Sequence, residues 1–460
     1  MILLFTILVA VLAVGYIVVY LRKGIVASAA LWFTILSVVF FLYSFVVVWS
    51  ESNFNDLDGI ATGVLVVSLG LVSFIAGSLV LGGPKGRRHT EKRHVRRDPT
   101  VRRVVPPGRG LFFIAAAVIV PSVVYFVLLG HVPLFMGVGD VFESGYQGLG
   151  ALQTYRLELT PHLSGMSIPF KGVFDIIRNY GPLFIVGVST VQMLQGEKRW
   201  PRILLIVLGV VTSLAAGQRW PLIYLFVAAL AAIYALVGFG IRPALRRVVG
   251  FSALLIGVGL VITLLQKRTT EVIDSFGEAV NFVFENLFQR IIFDQSATPI
   301  LSFQNRVYNS GELGGASYLQ ALLAYVPGSD VQNFEVDFFS RIYGSSYGYT
   351  AAPGFFTEAF INFGLIGVAL LSFAWGMLLT TIDRNRQWEK DRYFSPGFKA
   401  AIVALLAGTS FAGVGVIIGA ALIYFYMSIV YRLGSHLEKS DTTDFSAAEL
   451  SAVGVAARSK

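Results

Sequence analysis

The residues that invite chemistry gather in and around one polar stretch, residues 267–356, and the segment that follows it, Thr357-Glu358-Ala359-Phe360-Ile361-Asn362-Phe363-Gly364. The stretch carries Arg268, Arg290, Arg306 and Arg341 among many aromatics, with Tyr343, Tyr347 and Tyr349 near its end. Fixed guanidiniums hold anions with a two-pronged geometry. Glu358 falls in the first turn of an apolar helix, where the helix dipole favours a carboxylate. Two further arginines stand apart: Arg156, which follows Tyr155 in a Gly-rich loop, and Arg219 in Ala215-Ala216-Gly217-Gln218-Arg219-Trp220-Pro221-Leu222. Arg178 has Asp175 three residues before it, and pairing or snorkelling accounts for it. Asp56-Leu57-Asp58 is an acidic pair with oxygen ligands of the kind magnesium or manganese takes. A bare pair supplies too few ligands for a dedicated site, so a short acidic loop is the preferred reading.

Long apolar runs position these residues. Of the 460 residues 55% are hydrophobic and 14% charged, which excludes a soluble domain and places the chain among multi-span helical membrane proteins. Apolar runs lie at 2–21, 26–49, 59–82, 111–130, 174–195, 203–217, 221–240, 249–266, 357–380, 400–412 and 415–431, the sixth and tenth being short. The fold class expected is all-α: about eleven transmembrane helices and one large external loop. Residues 1–266 form helices one to eight, 357–431 helices nine to eleven, and 432–460 a polar tail expected to be disordered. Within the loop, Phe276, Val280, Phe284, Leu287 and Ile291 recur at helical spacing, predicting an amphipathic helix over 272–293. The first run lacks a basic start and a cleavage site and is not expected to be a signal peptide.

Charge sets the orientation. If the runs alternate, the segments at 22–25, 83–110, 196–202, 241–248, 381–399 and 432–460 share one side and hold 27 of the 36 Lys and Arg but 10 of the 27 Asp and Glu. That side is cytoplasmic, with the N-terminus outside and the C-terminus inside. The net charge of +9 therefore needs no nucleic acid to explain it. The dense basic segment 83–110 reads first as a positive-inside anchor and second as a clamp for anionic lipid or a cytoplasmic partner. Arg219 then sits at the external turn of a tight helical hairpin. It lines a watery site there or snorkels beside Trp220. With no cysteine in the chain, disulfide and thiolate chemistry are excluded.

Three features together resemble the O-antigen polymerases, the Wzy-type oligosaccharide repeat-unit polymerases. They are the short hairpin turn Gly217-Gln218-Arg219, the large external loop, and a helix entry of the form P-x-x-x-x-E-x-x-x-N-F-G from Pro353 to Gly364. His131-Val132-Pro133-Leu134-Phe135 followed by Arg156 is similar to that family's earlier external loop, and the resemblance spans roughly 110–430. It implies a GT-C-like membrane glycosyltransferase of a bacterial cytoplasmic membrane, acting at the outer face on polyprenyl-diphosphate-linked oligosaccharides. Chain-length regulator or flippase proteins are the implied partners. Under that implication Arg219 stabilises the diphosphate leaving group and Glu358 is the general base. Arg156, Arg290, Arg341, Tyr349 and Asn362 contact diphosphate or sugar, and neither metal nor other cofactor is called for. The related O-antigen ligases use a histidine in the large loop, whereas this chain has none between Lys267 and Gly364. The alternatives are a ligase-like transferase and a flippase for the same lipid-linked sugars, although the repeats usual in transporters are not visible.

Overall fold

The computed structural model describes residues 2–23, 25–42, 45, 57–81, 109–145, 151–152, 155, 171–194, 199–218, 220–237, 257, 261, 275, 277–278, 281–282, 295–324, 326, 331, 334–344, 351–385 and 395–434. Every regular element among them is helical. The first four helices are α1 (Ile2–Arg22), α2 (Ala29–Ser37, continued by a π turn at Val38–Leu42), α3 (Leu57–Val80) and α4 (Arg109–Leu129). A short helix, α5 (Pro133–Ser144), precedes α6 (Lys171–Leu194), α7 (Arg199–Leu214) and α8 (Trp220–Val237). The polar stretch contributes α9 (Gln295–Gln304), α10 (Ala316–Leu323) and α11 (Phe334–Tyr343). Then come α12 (Phe355–Arg384), α13 (Ser395–Ala412) and α14 (Val414–Gly434).

Five of these helices, α1, α3, α4, α12 and α14, are long and apolar enough to cross a membrane, which makes the chain a multi-pass membrane protein in composition and build. Helices α2, α7, α8 and α13 are apolar but shorter. The run expected at 249–266 lies outside the described residues except for Gly257 and Val261. Most of the amphipathic helix expected over 272–293 also lies outside them. Within it Gly277, Glu278, Asn281 and Phe282 are helical, with Glu278 and Asn281 exposed and Phe282 buried. The basic segment 83–108 and the tail beyond 434 fall outside as well.

The centre of the bundle is the α3–α12 pair, packed more extensively than any other described pair. Glycines permit the close approach: a Cβ at Gly77 would meet the Phe373 carbonyl, and one at Gly376 the Phe74 carbonyl. Small residues at a contact let helix backbones come together where lipid offers no hydrophobic drive. Gly187 of α6 and Gly397 of α13 play the same part in a second pair.

The two ends of the bundle carry different polar knots. At one end Asp383, near the close of α12, accepts from Ser28 Oγ (2.6 Å), Ala29 N (2.8 Å) and Ala30 N (3.2 Å), capping the start of α2. Lys399 Nζ donates to the Asp383 carbonyl at 3.2 Å, so α12, α2 and α13 meet there. The opposite end of α12 holds Glu358. This separation is what alternating crossings require, with 22–28, 383 and 399 on one side and 358 and 414 on the other. With no native cysteine, an impermeant thiol reagent applied to intact cells reads the orientation directly. Ser310→Cys is expected to label and Val95→Cys to stay unlabelled, and the reverse pattern overturns the topology.

Candidate functional site

The site begins with a break in a helix. Gly364 has φ 68° and ψ −163°, so α12 is two helical pieces joined at a kink. That backbone region is open to glycine almost alone. The kink removes the donors that the Phe360 and Ile361 carbonyls would find one turn later. The Gly-rich turn 311–315 supplies replacements: Gly311 N donates to Phe360 O (3.1 Å) and Leu313 N to Ile361 O (3.2 Å). A broken helix at membrane depth persists only when the freed backbone groups are satisfied in this way.

On the first piece, Glu358 and Asn362 share a face because they are four residues apart. Asn362 Oδ1 accepts from Gly315 N (3.0 Å), while its Nδ2 donates to the Glu358 carbonyl (2.8 Å) and to Ser317 Oγ (2.7 Å). Ser317 passes the chain on, donating to Glu358 Oε1 at 2.7 Å. The other oxygen, Oε2, accepts from Val414 N at 2.7 Å, the first amide of α14. Helix starts favour negative charge, and here the first turn of α12 and the first amide of α14 converge on one carboxylate. Gly413 (φ 74°) separates α13 from α14 and lets the backbone approach, since a Cβ there would lie 2.5 Å from Glu358 Oε2. Glu358, Asn362 and Ser317 are all buried.

A narrow cleft opens beside this network, lined by Ala321, Phe334, Glu335, Pro353, Glu358, Ala412 and Gly415. Glu335 lies in the first turn of α11, its carbonyl accepting from Ala351 N at 3.1 Å. Burial first, and the charge of Glu358 second, push its carboxyl up to about 7. Tyr318 on α10 is also raised, by burial and then by Glu358.

Of the residues singled out from sequence, the structure brings Glu358 and Asn362 together. Arg341 lies on α11 with Glu335 but is occupied locally. Its Nε is 3.2 Å from Asp337 Oδ2 and its guanidinium 4.7 Å above the Tyr308 ring, while Tyr308 Oη donates to the same Asp337 oxygen at 3.0 Å. Arg178 is buried and paired, Nη2 to Asp175 Oδ1 at 2.6 Å, with Tyr125 and Phe126 against its guanidinium. Asp58 is exposed in the first turn of α3; Asp56 lies outside the described residues. Arg156, Arg219, Arg290 and Tyr349 lie outside them too.

The residues on both sides of Arg219 are described. Gly217 has φ 70° and donates to Leu214 O at 2.7 Å, and Trp220 opens α8 with Pro221 second. A ladder of rings links α8 to α13: Trp220 to Tyr224 at 5.1 Å, then Tyr224 to Phe411 at 5.6 Å. Phe411 is two residues before Gly413. Ser317, Glu335 and Val414 were not singled out from sequence.

No family model matches the chain, and comparisons with curated proteins and with solved structures found no match.

Proposed function

We propose that this protein polymerises polyprenyl-diphosphate-linked oligosaccharide repeat units at the outer face of a bacterial cytoplasmic membrane. The observation that carries the reading is the Glu358–Ser317–Asn362 network at the broken entry of α12, formed by the same Glu and Asn that resemble the polymerase helix entry. It supplies a reason for the motif's spacing. The glutamate and asparagine need one helix face, and the glycine that follows makes the kink onto which the 311–315 turn docks.

The chemistry is glycosyl transfer. An acceptor hydroxyl attacks the anomeric carbon, and the bond to the diphosphate oxygen breaks with its electron pair. A carboxylate in the cleft beside α12 removes the hydroxyl proton. Arginines at the external face, Arg219 above all, meet the charge developing on the diphosphate. The arginine-bearing segments contact sugar or diphosphate, Asn362 holds the Glu358 network in place, and the apolar helices accommodate the polyprenyl tail. Gene deletion followed by sizing of surface polysaccharide tests the reading in cells: single-repeat glycans are expected, and unchanged chain length contradicts it.

A transporter of the same lipid-linked sugars is the second reading, favoured by the break at Gly364, since discontinuous helices often flank transported substrates. Lengthened product separates polymerase from flippase. A divalent cation is not needed if fixed guanidiniums carry the leaving-group charge. Turnover is therefore expected to survive chelator, and turnover lost in chelator and restored by magnesium or manganese would instead promote Asp56 and Asp58 to ligands.

A further inference from the structure

Helices α4 and α7 begin at the same end of the bundle and leave a groove between them. Gly397, near the start of α13, packs against Val188 late in α6, and the end of α6 leads into α7. Gly434, which closes α14, lies against the Gly110 carbonyl at the start of α4. Since α13 starts beside Asp383 and α14 starts beside Glu358, both α4 and α7 start at the Asp383 end.

The groove has a volume of about 710 Å³. One wall is Phe112, Ala116 and Val120 of α4 and the other Trp200, Leu204 and Leu208 of α7, each set four residues apart and so on one helix face. All six are exposed, and Ala115 and Leu205 are buried beneath them. Eight residues of helix along each wall cover about 12 Å, most of the roughly 15 Å depth of one leaflet's hydrocarbon.

Charge and an indole mark the mouth. The chain that leads into each wall is basic: residues 83–110 hold ten Lys and Arg against two Asp and Glu, and residues 196–202 hold three against one. Trp200 is 82% exposed in the first turn of α7, where an indole sits at headgroup level. A groove apolar along its length and cationic at its mouth fits a ligand with one anionic end and a hydrocarbon chain about one leaflet long.

We propose that this groove is a binding site for one anionic phospholipid, taken from the leaflet on the basic side. An acyl chain lies between α4 and α7, and the headgroup phosphate is drawn to the basic segments that lead into them. The substrate's polyprenyl tail fits less well, because its diphosphate belongs at the opposite, Glu358 end. Seated there, the lipid bridges α4 and α7 and stabilises the folded bundle in proportion to its occupancy. The site is independent of the reaction proposed at the other end.

Native mass spectrometry of the purified full chain tests this, with dioleoyl phosphatidylglycerol and dioleoyl phosphatidylcholine as probes. One phosphatidylglycerol is expected to stay bound per chain, about tenfold or more tighter than phosphatidylcholine. Ala116→Trp fills the groove from an exposed position and is expected to lose that bound lipid. Its melting temperature without lipid should match wild type, while the rise that phosphatidylglycerol gives the wild type should disappear. Combining Arg109→Gln, Lys198→Gln and Arg199→Gln leaves the lining untouched. That variant should bind phosphatidylglycerol about tenfold or more weakly and phosphatidylcholine as before. Equal retention of the two lipids by wild type overturns the inference, since ordinary boundary lipid behaves so. Undiminished phosphatidylglycerol binding in either variant overturns it too. Displacement of the lipid by polyprenyl diphosphate gives the groove to the substrate, and a dimer that Ala116→Trp dissociates gives it to a second copy of the chain; both contradict the proposal.

Discussion

Glu358→Ala is expected to lose both fold stability and activity. The substitution strands the Ser317 hydroxyl and the Val414 amide, each of which donates to a Glu358 oxygen. A buried donor left without a partner costs about 1–3 kcal/mol, so the pair together should remove roughly 3 kcal/mol. The Asn362 amide, which reaches Ser317 Oγ, loses its organised neighbour as well. Glu358→Gln keeps the shape and one acceptor oxygen but brings an amide N–H against a donor, so it should fall between alanine and wild type. Thermal unfolding in detergent or nanodiscs reads the first effect. Polymer per unit of folded protein reads the second. Wild-type melting in Glu358→Ala would show that the carboxylate does not hold α10, α12 and α14 together.

Arg219→Ala is expected to lose orders of magnitude in turnover with little loss of fold. The expectation rests on the charge pattern, which reads Arg219 as an external arginine that runs against the bias of its face; its chain neighbour Trp220 packs through Tyr224 against Phe411. Removing one preorganised donor from a developing oxyanion commonly costs about 3 kcal/mol, which is roughly 100-fold or more in rate. Lysine keeps the charge but not the planar fork that matches two phosphate oxygens, so Arg219→Lys should be intermediate. A snorkelling arginine would behave otherwise: lysine would serve nearly as well, and alanine would mainly lower membrane abundance. Near-normal specific activity in Arg219→Ala removes this residue from the site.

The five membrane-length helices α1, α3, α4, α12 and α14 were legible in sequence because a span is a local property, a long apolar run ended by charge or glycine, whereas the short helices α5, α9, α10 and α11 carry no such run. The boundary between the runs at 400–412 and 415–431 marked the Gly413 break, though not that it exists to admit the Glu358 carboxylate. Glu358 and Asn362 were legible for a similar reason, since four-residue spacing puts them on one face before any tertiary contact is known. Their partners were not. Ser317 and Val414 lie 41 and 56 residues from Glu358 along the chain, and neither a serine after a Gly-rich turn nor a valine after a glycine has a composition that announces a ligand for a carboxylate. Glu335 was hidden differently. With Asp337 it looks like the acid usually found in a helix's first turn, and only the fold brings it to the Glu358 cleft. Arg341 was picked out for its charge, which the structure shows engaged by Asp337 and the Tyr308 ring.

The measurement closest to the central claim is product sizing with purified protein in nanodiscs, supplied with a polyprenyl-diphosphate-linked repeat unit and no other protein. A ladder of lipid-linked products separated by one repeat unit, with free polyprenyl diphosphate released at each step, is the predicted result. Recovery of the single repeat unit unchanged, with folded protein present and Glu358 intact, would contradict it.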